Sequence, residues 1–275
     1  MCALANKGEL ILLGKGSDIF PGIVPPESGH VVELGPHPDD PDAVAVTLHL
    51  FATSGCRVSY VITCLSPQGV TDSYALQAAR KSGVEIGNNL DAFKRELRRE
   101  EQITSARLAG FAGDSLYFHT LEEDQKGRLV DSPANARAYA ELLASLDPDI
   151  VLMPYGEDTN SDHVLNWRFF CQSAQQLARK RGKPILGLYN RDPKTVRINE
   201  QLAVPFGREM AEWKSRLLRT HRSQHERNLE QRGYGFDQRI LEVNREAWKS
   251  FKERGTSVWS ENYLYAETFQ VECFY

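Results

Sequence analysis

One imidazole and three carboxylates fall within the six residues His37-Pro38-Asp39-Asp40-Pro41-Asp42. Histidine and aspartate together suit zinc or iron(II), and a carboxylate beside the metal but not on it can serve as general base for water. A second group follows much later, in Glu157-Asp158-Thr159-Asn160-Ser161-Asp162-His163. Pooled, the two stretches offer two histidines and one or more aspartates, the ligand set of a catalytic metal site that keeps positions open. Read alone, each stretch is also compatible with a helix-capping turn, since aspartate before a helix is a common cap.

Both stretches follow short apolar runs. Val31 to Leu34 reads as a buried strand ended by Gly35-Pro36, and residues 42–54 read as a helix ended by Gly55. Arg57 to Leu65 is a second apolar strand, so this order predicts a right-handed βαβ unit with parallel strands. Asp149 to Pro154 is another buried strand, and it delivers the second group. The carboxyl ends of parallel strands share one edge of a sheet, so loops far apart in sequence meet there.

The other expected elements are a long polar helical region over about 74–111 and a short strand over 115–119. Helices over 134–146 and 163–181 and a strand over 185–189 follow. Residues 196–203 read as a strand pair, 207–230 as one amphipathic helix, 238–254 as another, and 263–271 as a strand. Residues 1–30, rich in Gly and Pro, read as an irregular lead-in over the surface. No repeat or linker appears. One α/β domain over 1–275 is expected, with a core over 30–230 and a C-terminal elaboration over 231–275.

The 275 residues carry a net charge of −4, which gives no sign of a nucleic-acid partner. The basic stretch Arg208 to Arg254 has acids interleaved and reads as a solvated helical face. Five cysteines with no CxxC pair favour free thiols, Cys64 and Cys171 buried, in a reducing compartment. No stretch approaches the roughly 18 apolar residues of a membrane span. A soluble, cytoplasmic protein is expected, its oligomeric state left open. A nucleotide-binding reading is disfavoured, because no Gly-x-Gly-x-x-Gly follows the first strand.

His37-Pro38-Asp39-Asp40 after the first long strand resembles the signature of the PIG-L/LmbE-like N-acetylglucosaminyl deacetylase superfamily. The resemblance extends to Arg98-Arg99-Glu100-Glu101, Pro148-Asp149-Ile150-Val151, Asp162-His163 and His221-x-Ser223-Gln224. It implies a Rossmann-like three-layer sandwich with a mostly parallel sheet. It also implies His37, Asp40 and His163 as ligands of zinc or another divalent metal such as iron(II), with Asp39 as general base. The implied reaction removes an acetyl group from an N-acetylated amino sugar or its conjugate by metal-activated water.

Two positions depart from the family pattern. Pro41 and then Asp42 stand where a glutamate often follows the double aspartate, and Asn160 stands where a histidine usually handles the oxyanion or the leaving amine. Asparagine can donate a hydrogen bond to an oxyanion but cannot carry a proton. Asn160 is therefore taken as a catalytic residue of altered capability. Two alternatives follow: a member that only binds, and a metal amidohydrolase of a non-sugar amide. Arg98, His119 and His221 are candidate substrate contacts. For Arg98 an ion pair along its helix competes with that role, and for His221 a structural one does.

Overall fold

The computed structural model describes residues 29–87, 89–111, 113–253 and 262–275, with the backbone alone of 2–4 and 10–14. Strands are β1 (Cys2–Leu4), β2 (Leu10–Gly14), β3 (His30–Gly35), β4 (Arg57–Ile62), β5 (Leu116–Phe118), β6 (Ile150–Pro154), β7 (Ile185–Asn190), β8 (Leu202–Phe206) and β9 (Tyr265–Phe274). Helices are α1 (Asp40–Ala43), α2 (Ala45–Thr53), α3 (Asp72–Ser82), α4 (Leu90–Ala109), α5 (Pro133–Leu146), α6 (Ser161–Arg181), α7 (Arg208–Leu218), α8 (Arg222–Arg232) and α9 (Phe236–Glu253).

The sheet order is β1-β2-β8-β9-β7-β6-β3-β4-β5. From β7 to β5 every neighbour is parallel, whereas β9 joins β7 and β8 antiparallel. Strands β3 to β9 thus form the expected mostly parallel α/β sheet. Central strands of such a sheet are covered on both faces, which accounts for the unbroken burial of β3 and β6. Their side chains alternate between two cores. Val31, Ile150 and Leu152 join Leu48, Phe51 and Ala211 on one face, while Val32, Leu34, Val151 and Met153 join Tyr139, Leu143, Phe169 and Phe170 on the other. Helices therefore lie on both faces, making three layers.

The elements differ from expectation where local signals compete with tertiary ones. The helical region 74–111 is two helices, because Gly83 in the left-handed conformation (φ +68°) ends α3 and the Asn89 side chain caps α4. The helix expected over 42–54 breaks at Val44, and the one over 207–230 breaks at Thr220-His221. Residues 196–201 form no strand; β8 begins at Leu202 and runs to Phe206. Within the lead-in, Leu10–Gly14 pairs with β8 and Cys2–Leu4 pairs with it in turn, so these short runs extend the sheet. Cys56, Cys64, Cys171 and Cys273 are free thiols.

Candidate functional site

The loops that leave β3, β4, β6 and β7 meet at the carboxyl edge of the sheet around a cavity of about 310 Å³. His37 follows β3 after Gly35-Pro36, and the His37 amide donates to Asp40 Oδ2 at 2.7 Å, which folds the turn onto itself. Gly35 must be glycine here, since a Cβ would lie 2.6 Å from Asp40 Cβ and 2.7 Å from Glu33 Oε1. Pro41 sits in the first turn of α1, where a missing N–H costs nothing. Asp39 occupies the N-cap of α1, yet its side chain makes no capping bond. It turns instead to Arg98 Nη2, 2.5 Å away.

His163 lies in the first turn of α6, whose cap is Asn160 through an Oδ1 that accepts from the Asp162 amide. The cap engages Oδ1, and Asn160 also lines the cavity. His37 and His163 approach to 5.4 Å between ring centroids. Each ring is held at one nitrogen by a carboxylate: His37 Nε2 by Asp162 at 3.0 Å, and His163 Nδ1 by Asp158 at 3.1 Å. The remaining nitrogens face Asp40, with His37 Nδ1 3.4 Å and His163 Nε2 3.6 Å from its oxygens.

His163 Nε2 is buried without a hydrogen-bond partner. A buried ring nitrogen left bare beside a carboxylate is costly unless something binds it. His37, Asp40 and His163 place donor atoms within 4.8 Å of one another, close enough to share one ion. A carboxylate on the far nitrogen of each ring is the usual support of a metal-bound histidine. Two other groups, His37/Cys64/Asp162 and Asp158/His163/Asp192, meet the same distance limit. The first would need a thiolate, but burial pushes the Cys64 thiol up and its Sγ donates to Glu123. In the second, Asp158 is already bonded to His163 Nδ1, and only one histidine is present. His37, Asp40 and His163 together offer two histidines and a carboxylate whose donors could share a divalent metal.

The charges reinforce one another. Burial opposes an imidazolium at His163, but Asp40 and Asp158 overcome it and push the ring up to about 10. Burial likewise works against the charged forms of Asp40 and Asp39. His163 and His37 hold Asp40 well below the carboxylate range, and Arg98, aided by His221 and His37, holds Asp39 below its usual value. Arg98 is buried and also donates to the carbonyls of Leu65 and Ser66. Ser66 has φ +25°, a strained conformation for a residue with a side chain, and the Arg98 bond holds it there.

Among the expected substrate contacts, only Arg98 lines the cavity. His119 is exposed and outside the lining. His221 is buried behind the site, where its Nε2 lies 2.6 Å from Asp42 Oδ2, the oxygen that Ser105 also meets. Asp42, itself in α1, thus ties that helix to Ser105 of α4 and to His221 at the start of α8. The sequence reading passed over Asp192, at the end of β7, and Gln68, Arg227, Asn228 and Arg239, all of which line the cavity. Asp192 could have been found by applying the strand-end rule to β7. The basic residues of α8, read as a solvated face, in fact contribute Arg227 and Arg232 to the cavity wall.

The family described as PIG-L, GlcNAc-PI de-N-acetylase, matches residues 32–173, more than half of the chain. No curated protein matches the sequence. Among solved structures, the N,N'-diacetylchitobiose deacetylase of Pyrococcus horikoshii, complexed with an inhibitor, superposes with a TM-score of 0.65 at 18% identity, covering 89% of this chain and 84% of that one. The 4-carboxy-2-hydroxymuconate hydratase GalB of Pseudomonas putida gives 0.62 at 17% identity, covering 89% and 95%. A teicoplanin deacetylase in its zinc-inhibited form gives 0.57 at 16% identity, covering 89% and 98%. At these identities the likeness is one of fold. Among the described residues no helix is long and apolar enough to cross a membrane. With the matched segment running from β3 into α6 and enclosing both histidine loops, the chain belongs to the PIG-L/LmbE-like deacetylase family.

Proposed function

We propose that the protein is a metal-dependent hydrolase that removes an acetyl group from an N-acetylated amino sugar or its conjugate. The observation that carries this reading is the bare, buried His163 Nε2 facing Asp40 and His37 inside the family-matched segment. His37 Nδ1, Asp40 and His163 Nε2 would hold the metal, and its N/O donor set suits zinc first and iron(II) second. A divalent metal there supplies Lewis acidity and makes water a nucleophile near neutral pH.

Asp39 is the general base. Arg98 keeps it ionised, so it is ready to take the proton from the attacking water. As the new C–O bond forms and the C–N bond breaks, that proton passes from Asp39 to the departing amine, and acetate is released. Asn160, with Oδ1 spent on the helix cap, has Nδ2 to donate to the oxygen on which negative charge develops. The same reading makes residues 1–275 one domain of this family, with a core over 30–230 and a C-terminal elaboration over 231–275.

The test is acetate release by the metal-loaded protein from a panel of N-acetyl sugars, with metal content measured in wild type, His37→Ala and His163→Ala. The expected result is release by wild type and loss of both metal and activity in the variants. Full metal content in both variants would overturn the ligand set. Absence of release from sugars, with release from acylated peptides or polyamines, would replace the substrate class.

A further inference from the structure

The cavity has two unlike ends. Four carboxylates line it at the sheet edge: Asp39 faces Arg98, Asp162 faces His37, Asp40 faces both histidines, and Asp192 accepts from the Lys194 amide. The opposite wall comes from α8 and α9. On α8, Gln224, Arg227, Asn228 and Gln231 stand at i, i+3, i+4 and i+7, so one polar helix face is turned into the cavity. From α9, Arg239 joins that wall.

Arg227 and Arg239 are half-buried, yet among the described residues neither makes an ion pair. Arg227 Nη1 donates only to the Gln68 carbonyl, at 3.1 Å. Arg232 and Lys194, exposed on the same cavity, also make no ion pair among the described residues, although Lys194 lies near enough to Asp192 to favour its ionised form. Burial and the neighbouring charges of Arg98 and Arg232 lower the pKa of Arg227 against the pull of Asp39, and burial and Arg232 lower that of Arg239 against Asp192 and Asp39. Half-buried guanidinium groups without an ion-pair partner are unfavourable until an anion joins them. Beside them Asn228 Oδ1 is buried and has no partner, while Asn228 Nδ2 is spent on the Gln224 carbonyl. That leaves one acceptor for a hydroxyl next to a fork of donors for an anion.

Resting on the deacetylase reading above, we propose that the α8–α9 wall is an anion subsite. In it, Arg227 and Arg239, backed by Arg232 and Lys194, receive a carboxylate or phosphate carried by the part of the substrate that keeps the amine. Asn228 Oδ1 accepts from a hydroxyl of the same ligand. The cavity volume of about 310 Å³ limits that ligand to a small molecule or to the end of a larger one. The Asp39 charge is felt by both Arg227 and Arg239, so a sugar spanning the cavity reaches the general base and the subsite together.

The experiment compares N-acetylglucosamine, its phosphate ester and N-acetylmuramic acid on the metal-loaded full chain, by kcat/KM and by calorimetric binding. At least one anionic sugar should exceed the neutral one by about tenfold or more, mainly through KM, and the preference should shrink as salt is added. Which of the two gains more identifies phosphate or carboxylate as the preferred group. In the Arg227→Gln/Arg239→Gln double variant, checked for an unchanged melting temperature, the ratio should collapse toward one. Arg227→Lys/Arg239→Lys should retain part of it by keeping charge without the bidentate fork. Equal binding and turnover of all three sugars by wild type would overturn the subsite, whatever the variants do. Preferential binding of an anionic sugar without acetate release would instead leave the subsite standing and overturn the deacetylase reading.

Discussion

Two buried charge clusters in this molecule are completed in opposite ways. At the carboxyl edge of the parallel strands, His37, Asp40 and His163 crowd together and leave His163 Nε2 bare. Beneath them, Lys214 of α7 is wholly buried with its donors all used, on the Ala43 carbonyl, Asn244 Oδ1 and Glu267 Oε1. Glu267 of β9 in turn accepts from the amides of Val46 and Thr47 and from the Thr47 hydroxyl. The second cluster is closed and the first is open. Burial and charge alone do not separate a structural ion pair from a binding site; the partner count does.

The closed cluster also explains a boundary. Val44 cannot cap α2, and no side chain near it does; the Glu267 carboxylate caps it from more than two hundred residues away. It lies at the positive end of α2, where an anion is favoured. If this cluster is purely structural, Lys214→Met should cost about 3–5 kcal/mol in denaturant unfolding, because Glu267 is left buried and uncompensated. Adding Glu267→Gln should restore part of the loss. A cost well under about 1 kcal/mol would mean that water reaches the pair and that the contrast between the clusters is false.

The open cluster is broken by a smaller change with a different readout. Asp39→Asn removes the proton acceptor and leaves the ligand set intact. Turnover should fall by about 100-fold or more, with metal content unchanged, as for loss of a general base. Full turnover in that variant would assign the base to another carboxylate of the cavity, such as Asp192 on its wall.

Much of the open cluster was legible in the sequence, and almost none of the closed one. His37, Asp40 and His163 stand in loops after apolar strands, and the sheet rule brings such loops together without any knowledge of packing. Asp162, from the second stretch, holds His37 of the first. The closed cluster depends on α7, β9 and α2 meeting across the chain, which no local pattern records. The split of residues 207–230 has the same origin, since His221 leaves the helical path to meet Asp42. The α8 stripe was missed because a polar helix face is compatible with either water or a polar cavity, and only the fold decides which. Asn160 combined two readings that compete in sequence, a helix cap and a catalytic donor, and its two amide atoms can serve both.

Glu33 offers the finest test of the contrast, because it is buried on β3 between the two clusters with neither carboxyl oxygen partnered. Burial, reinforced by Asp40, holds its carboxyl well above the usual range, so the folded chain keeps it neutral. The unfolded chain ionises the same group near its ordinary value. As pH rises past that value, the unfolded state therefore gains free energy of ionisation that the folded state cannot match, and stability declines until the folded pKa is passed. Glu33→Met removes that penalty at similar volume. Its stabilising effect should be larger at pH near 8 than at pH near 5, growing by up to about 1.4 kcal/mol per pH unit while the folded group stays neutral, read from denaturant midpoints. Stabilisation that does not grow with pH would mean that Glu33 ionises in the folded chain. A loss of stability at the higher pH would place Glu33 with the paired groups, bonded in solution to the closed cluster's side of the molecule.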